Sequence, residues 1–239
     1  MLPRYLGAGM MAESDTRSLL AAGMTELGLE DTGGRTDLLL AYLDLLGRWN
    51  RAYNLTAVQG RAEQVARHLL DSLAVAPLLS GERFLDVGSG AGLPGLPLAI
   101  LFPERSWTLL DASAKRVRFL RHAVARLGLE NVECVHARVE GYEPAKAFDT
   151  VLSRAYASLG EFVVSAGGHC SVDGCLAAMK GRLPEEELDA LPPGWRVSGL
   201  HRLAVPGLDA ERHLVVLAHN GAGRDGRPGA RPGPTTRTE

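Results

Sequence analysis

Residues 83–102 read Arg-Phe-Leu-Asp-Val-Gly-Ser-Gly-Ala-Gly-Leu-Pro-Gly-Leu-Pro-Leu-Ala-Ile-Leu-Phe, a run that few folds can accommodate. Phe84, Leu85 and Val87 supply the short apolar segment of a buried strand. Gly88, Gly90 and Gly92 then permit positive φ and, lacking a Cβ, let a ligand come close to the backbone. Pro94 suits the first turn of a helix, where its missing N–H leaves no bond unmade, and Pro97 is early enough to be tolerated. The run therefore predicts a strand, a tight turn beneath a bound group, and a helix whose free N–H groups face that turn.

Spacing narrows the ligand. A dinucleotide fingerprint, G-x-G-x-x-G, needs glycine where this chain has Leu93. The pattern Asp86-x-Gly88-x-Gly90-x-Gly92 instead resembles the first motif of Rossmann-like methyltransferases that use S-adenosylmethionine (SAM). One β-unit later, Trp107-Thr-Leu-Leu-Asp111 reads as the next strand. It ends in an acid about 20 residues past the glycines, where a carboxylate accepts hydrogen bonds from a ribose diol. NAD and SAM share that ribose, so Asp111 points to a nucleoside without naming it. Helix capping, with Ser113 as the other cap candidate, accounts for the acid as well.

From residue 83 onward, strand and helix patterns alternate, over about 83–88, 106–111, 132–136, 148–153 and 174–180. That alternation predicts a mostly parallel, doubly wound sheet with helices on both faces. Two further strand candidates, 195–203 and 213–218, have no helix between them and suit an antiparallel hairpin completing a seven-stranded sheet. The division expected is a loose leader over 1–14, a helical extension over 15–80, the α/β domain over 81–219 and a disordered tail rich in Gly, Pro and Arg over 220–239. In the extension, Leu38, Leu39, Tyr42, Leu45, Leu46 and Trp49 recur at helical spacing, and a second helix is expected over about 61–79. The net charge of −2 excludes a broadly basic nucleic-acid binder, so any RNA contact needs a local patch. The three cysteines form neither a disulfide framework nor a metal knuckle and read as reduced, cytoplasmic packing residues. No apolar run is long enough to span a bilayer, so no membrane partner is expected.

Further constellations carry chemistry. On the helix after Asp111, Lys115, Arg118, His122 and Arg126 share one face, opposite Val117, Leu120, Val124 and Leu127. The charged stripe is a solvated face or an RNA-phosphate contact, with Lys115 and Arg116 nearest the ligand crevice. His68 and Ser72 lack the G-x-S-x-G elbow of a hydrolase, and His68 is expected to pack against the Gly88 loop. After the fourth strand come Ser153-Arg154-Ala155-Tyr156. Methyltransferases acting on exocyclic amines carry a Pro-Pro-aromatic loop there; Arg154 and Ala155 replace both prolines and favour an acceptor that is already nucleophilic. Lys180 and Arg212 are either RNA contacts or members of internal ion pairs.

In order, Trp49-Asn50, Tyr53-Asn54-Leu55-Thr56, His68-x-x-Asp71-Ser72, the glycine motif to Gly95, Leu110-Asp111, Lys115-Arg-Val-Arg-Phe-Leu120, Ser153-Arg154-Ala155, Lys180-Gly181 and Glu211-Arg-His-Leu-Val215 resemble the RsmG (GidB) family. The resemblance runs from about residue 20 to 218; Tyr156 stands where many members have Phe. It implies a monomeric, cytoplasmic, metal-free enzyme of class I SAM-dependent methyltransferase fold, methylating N7 of one guanine in 16S rRNA near the decoding region. Its substrate would be 16S rRNA or the small ribosomal subunit. Residues implied for SAM are Asp86, Gly88, Gly90, Leu93, Asp111, Val139, Glu140 and Arg154. Arg154 is the candidate that positions both SAM and guanine, and Lys115, Arg116, Tyr156, Lys180 and Arg212 are the RNA-side candidates. Two rival readings use the same fold: an rRNA-binding protein without catalysis, and an NAD-dependent oxidoreductase.

Overall fold

The computed structural model describes residues 13–154 and 156–221. Helices α1 (Glu13–Glu26) and α2 (Arg35–Tyr53) open the chain. A helical rod over residues 61–73 follows, made of α3 (Arg61–Gln64), a π-helical turn (Val65–Leu70) and α4 (Asp71–Leu73). The helix expected over 61–79 thus widens in its middle and ends early. Pro77 explains the stop: its ring and missing N–H exclude it from a helix interior, and only a 3₁₀ turn (Ala76–Leu78) forms there.

The α/β part contains seven strands: β1 (Arg83–Val87), β2 (Ser106–Asp111), β3 (Val132–His136), β4 (Phe148–Ser153), β5 (Cys170–Lys180), β6 (Trp195–Arg202) and β7 (His213–His219). Between them lie α5 (Gly95–Leu101), α6 (Ala114–Leu127), α7 (Leu159–Ala166) and α8 (Glu185–Asp189). The strand order is β3-β2-β1-β4-β5-β7-β6. β1 to β5 pair in parallel, while β7 runs antiparallel between β5 and β6. This is the doubly wound sheet with a closing hairpin that the sequence predicts. The order reverses between β1 and β4, which places the ligand crevice of such a sheet outside their carboxyl ends.

Two boundaries differ from expectation. β5 starts at Cys170, because Asp173-Gly174 continues the strand through a register shift instead of turning. A Cβ at Gly174 would stand 2.6 Å from the carbonyl oxygen of Asp149, so only glycine permits that close approach. α5 begins at Gly95, with Pro94 as its cap. The expected leader falls outside the described residues except for 13 and 14, which begin α1, and the expected tail except for 220 and 221.

Both faces of the sheet are covered, so its central strands are buried without alternation. One core joins Phe84, Trp107 and Leu109 of the sheet to Leu20 of α1 and to Tyr42, Leu43 and Leu46 of α2. The other packs Leu85, Val151 and Leu176 against Leu159 and Phe162 of α7. No helix among the described residues is long and apolar enough to cross a membrane.

Candidate functional site

The turn after β1 folds back on the end of β2. The amides of Gly88 and Ser89 both donate to the carbonyl of Leu110, and those of Gly92 and Leu93 to the carbonyl of Ser89. The glycines serve different ends. At Gly88 φ is +70° and an added Cβ would meet nothing within 4 Å, so the space beside it is open to a ligand. At Gly92 the Cβ would lie 2.5 Å from Leu96, and at Gly95 2.3 Å from Leu109, so these two exist to seat α5 against the sheet. The expectation of ligand approach at Gly92 is thus replaced by packing. Leu93 is likewise buried at 5 % exposure, its side chain in the core.

Asp86, at the carboxyl end of β1, is completely buried. Its Oδ2 accepts from the Gly95 amide at 3.0 Å, while Oδ1 has no partner. Burial pushes its carboxyl up to about 7, only partly offset by the Gly95 amide. Asp111 ends β2 and is also buried. It accepts from Gly90 N at 2.9 Å and from Ser113 N at 2.8 Å, and pairs with Arg116 Nη1 at 3.5 Å. Ser113, not Asp111, caps α6. Val139 and Glu140 follow β3 in a 3₁₀ turn, Val139 buried and Glu140 exposed. An orphaned buried carboxylate oxygen, an open cradle at Gly88 and an acid ending the neighbouring strand fit a nucleoside ligand that also carries a cation.

A cavity of about 360 Å³ opens on the other side of the switch point, where β4 and β5 end. His68, Asp71, Arg154, Lys180 and Arg212 line it, with Arg67 at its rim. The fold therefore brings Arg154, Lys180 and Arg212 together from three distant segments. The two arginines meet on Asp71, 3 % exposed, which accepts from Arg212 Nε at 2.7 Å and Arg154 Nη1 at 3.4 Å. Lys180 is bound to Glu187 at 3.0 Å, and Glu187 also accepts from Leu159 N at the start of α7. Its ammonium is thus held in the internal ion pair weighed from the sequence. Tyr156 turns away from the cavity, donor or acceptor to Ser165 Oγ at 2.7 Å, with its ring beside Phe162. Lys115 reaches the carbonyl of Tyr53 at 2.8 Å and ties α6 to the end of α2.

Three contributors escaped the sequence reading. Tyr42 of α2, fully buried, donates its hydroxyl to the carbonyl of Ala91 at 2.7 Å and props the glycine turn from behind. His68 lines the cavity and hydrogen-bonds through Nε2 to Thr56 Oγ1 at 2.8 Å, a partner the sequence did not suggest. Asp71 was visible within His-x-x-Asp-Ser, but its two arginine partners lie 83 and 141 residues away, and nothing local announces them.

The family model described as rRNA small subunit methyltransferase G (GidB) matches residues 35–215. The chain is 52% identical over 203 residues to the ribosomal RNA small subunit methyltransferase G of Methylococcus capsulatus, a match covering 85% of this chain and 98% of that one. It is 47% identical over 211 residues to the protein of the same name from Nitrosococcus oceani, covering 88% and 99%.

Proposed function

The chain belongs to the rRNA small subunit methyltransferase G family, and on that premise we propose that it transfers the methyl group of SAM to N7 of one guanine in 16S rRNA. Asp86, Gly88, Gly90, the backbone at Leu93, Asp111, Val139 and Glu140 would hold SAM across the carboxyl ends of β1, β2 and β3. When bound, SAM supplies an electrophilic methyl on a sulfonium; the N7–C bond forms as the S–C bond breaks, and the positive charge passes to the guanine.

Guanine N7 already has a free lone pair, so no proton need be removed before attack. The protein's task is to aim that lone pair along the S–CH₃ bond and to exclude water, which makes proximity and orientation the main source of rate. The observation that carries this reading is Arg154. It stands where β4 ends, beside the switch point, with Nη1 anchored on Asp71 and on the carbonyl of Arg67. A guanidinium spanning O6 and N7 would block the acceptor, so Arg154 donates to O6 alone. The base must be unstacked or in a loop, because A-form duplex buries its major groove. Of the RNA-side candidates, Arg212 shares the cavity with Arg154, Arg116 pairs with Asp111 beside the glycine turn, and Lys115 sits where α6 meets the end of α2.

The test is labelled-methyl transfer from SAM to small subunits from cells lacking this gene, followed by borohydride–aniline cleavage, which cuts at N7-methylguanine. One new cleavage in 16S rRNA is expected; label without cleavage discards N7. Arg154→Ala is expected to lower the single-turnover rate about 100-fold, the scale of a misplaced reactant. An unchanged rate together with unchanged SAM affinity would remove Arg154 from the mechanism.

A further inference from the structure

The cavity around Asp71 offers hydrogen-bond donors well beyond what its own residues use. Arg212 spends Nε on Asp71 and Nη1 on the carbonyl of Glu211, and its Nη2 has no partner among the described residues. Arg154 spends Nη1 and leaves Nε and Nη2 unengaged among the described residues. Both side chains are part-buried, 22% and 27% exposed, and stand in the cavity wall. A third donor comes from His68, only 4 % exposed. Thr56 Oγ1 accepts from the amide of Val58 at 3.1 Å and hydrogen-bonds His68 Nε2 at 2.8 Å. Where Nε2 accepts the Thr56 proton, the imidazole hydrogen sits on Nδ1, which is buried without a partner among the described residues.

A buried polar atom left unpaired costs about 1–3 kcal/mol, so His68 Nδ1, beside two arginines with guanidinium donors to spare, calls for an acceptor-rich ligand. The guanine ring under methylation is the wrong occupant for all of them. It becomes cationic as the methyl arrives, and two arginines sharing one carboxylate leave a net positive wall. A phosphate supplies the missing negative charge and matches the forked guanidinium.

We propose that this cavity is the seat of the phosphodiester of the nucleotide being methylated, gripped by Arg212 and His68 beside the base-orienting Arg154. Asp71 is the positioning residue: it fixes both guanidinium planes before RNA arrives, so that little side-chain order is lost on binding. The assignment rests on the methyltransferase reading, since it is the acceptor nucleotide whose phosphate is seated.

The test titrates the full chain, saturated with SAM, with guanosine 5′-monophosphate, guanosine and inorganic phosphate, following arginine Nε–H and His68 ring signals by NMR. The monophosphate is expected to shift the Arg212 and His68 signals and to bind more tightly than inorganic phosphate, while guanosine leaves them unmoved. Arg212→Gln should weaken monophosphate binding at least tenfold without changing SAM affinity. Arg212→Lys keeps a cation on Asp71, guards against a folding defect, and should recover only part of the loss. Guanosine binding as well as its monophosphate, inorganic phosphate binding equally to it, or no response at tens of millimolar would each overturn the assignment. Methyl transfer to small subunits is read in parallel. Transfer with a phosphate-insensitive cavity removes the phosphate seat alone, and phosphate binding without transfer removes the reaction on which it rests.

Discussion

Two buried ionisable side chains titrate in opposite senses on either side of the crevice. Burial raises Asp86 to about 7, so the native state holds its proton more tightly than the unfolded chain. That contribution to stability is present at low pH and is lost as pH rises from about 4 to about 7. Burial, aided by the Arg154 charge, lowers His68 to about 4, so its contribution is present at neutral pH and is lost as pH falls from about 6.5 to about 4. Each group alone changes stability by up to about 1.4 kcal/mol per pH unit, and between pH 4.5 and 6.5 the two nearly cancel. Asp86→Asn should therefore make the urea midpoint fall on acidification relative to the parent, and His68→Gln should make it rise. Parallel midpoint curves for parent and variants would show that neither group titrates as described. The glycines give a second contrast. Gly88→Ala meets no atom and carries only the αL penalty of about 1–2 kcal/mol, while it narrows the SAM cradle. Gly95→Ala forces a Cβ to 2.6 Å from Asp86 Oδ2 and 2.3 Å from Leu109, overpacking that costs about 1–3 kcal/mol on tight-core precedent. SAM affinity should fall in the first variant with modest destabilisation, whereas the second should show the larger loss of stability in urea.

At the scale of elements, α2 acts on the site without entering it, while the rod that follows supplies His68 and Asp71 to the cavity. α2 touches the glycine turn through Tyr42 and packs Trp49 against Phe119 and His122 of α6. From the last turn of α2, Asn50 closes the following loop by donating to the carbonyl of Thr56 and accepting from its amide. Thr56 in turn holds His68, so the segment joining two helices sets the imidazole in the cavity wall. Tyr42→Phe removes one hydroxyl and leaves the Ala91 carbonyl buried without its donor, a loss of about 1–3 kcal/mol. Its more specific consequence is faster amide exchange over residues 90–93 than in the parent, measured by mass spectrometry. Exchange unchanged there would mean that α2 does not brace the turn. The pattern Trp49-Asn-Arg-Ala-Tyr-Asn-Leu-Thr56 was legible as a polar-aromatic turn, but the acceptor of each hydrogen bond was not, because the partners converge only when the helices pack.

Across the whole molecule, the helical extension and the sheet share one apolar core. Leu20, Leu43 and Leu69 lie in the same buried cluster as Phe84, Leu96 and Leu214. Removing the extension would expose that face of the sheet and the underside of α5, an apolar surface too large to stay solvated alone. A fragment of residues 81–219 should therefore show no cooperative urea transition, while the full chain shows a single one. A cooperative transition in the fragment would make the extension an appended module.

Pattern and spacing along the chain were sufficient for the seven strands, their mostly parallel order, the glycine turn and the acid ending β2. Each depends on periodicity or on residues within one β-unit, and such interactions are written in consecutive residues. Lys180 and Arg212 could be marked as candidates with two readings apiece, and only the tertiary structure separated them, committing Lys180 to Glu187 while leaving Arg212 with a donor unspent. It likewise showed that Gly92 seats a helix while Gly88 faces open space, and that Asp71 binds two arginines from the far half of the chain. The physical reason is common to all three. Whether a charge is paired, or a missing Cβ leaves room or a contact, depends on neighbours distant in sequence, and those are fixed only when the sheet and the helical extension close on one core.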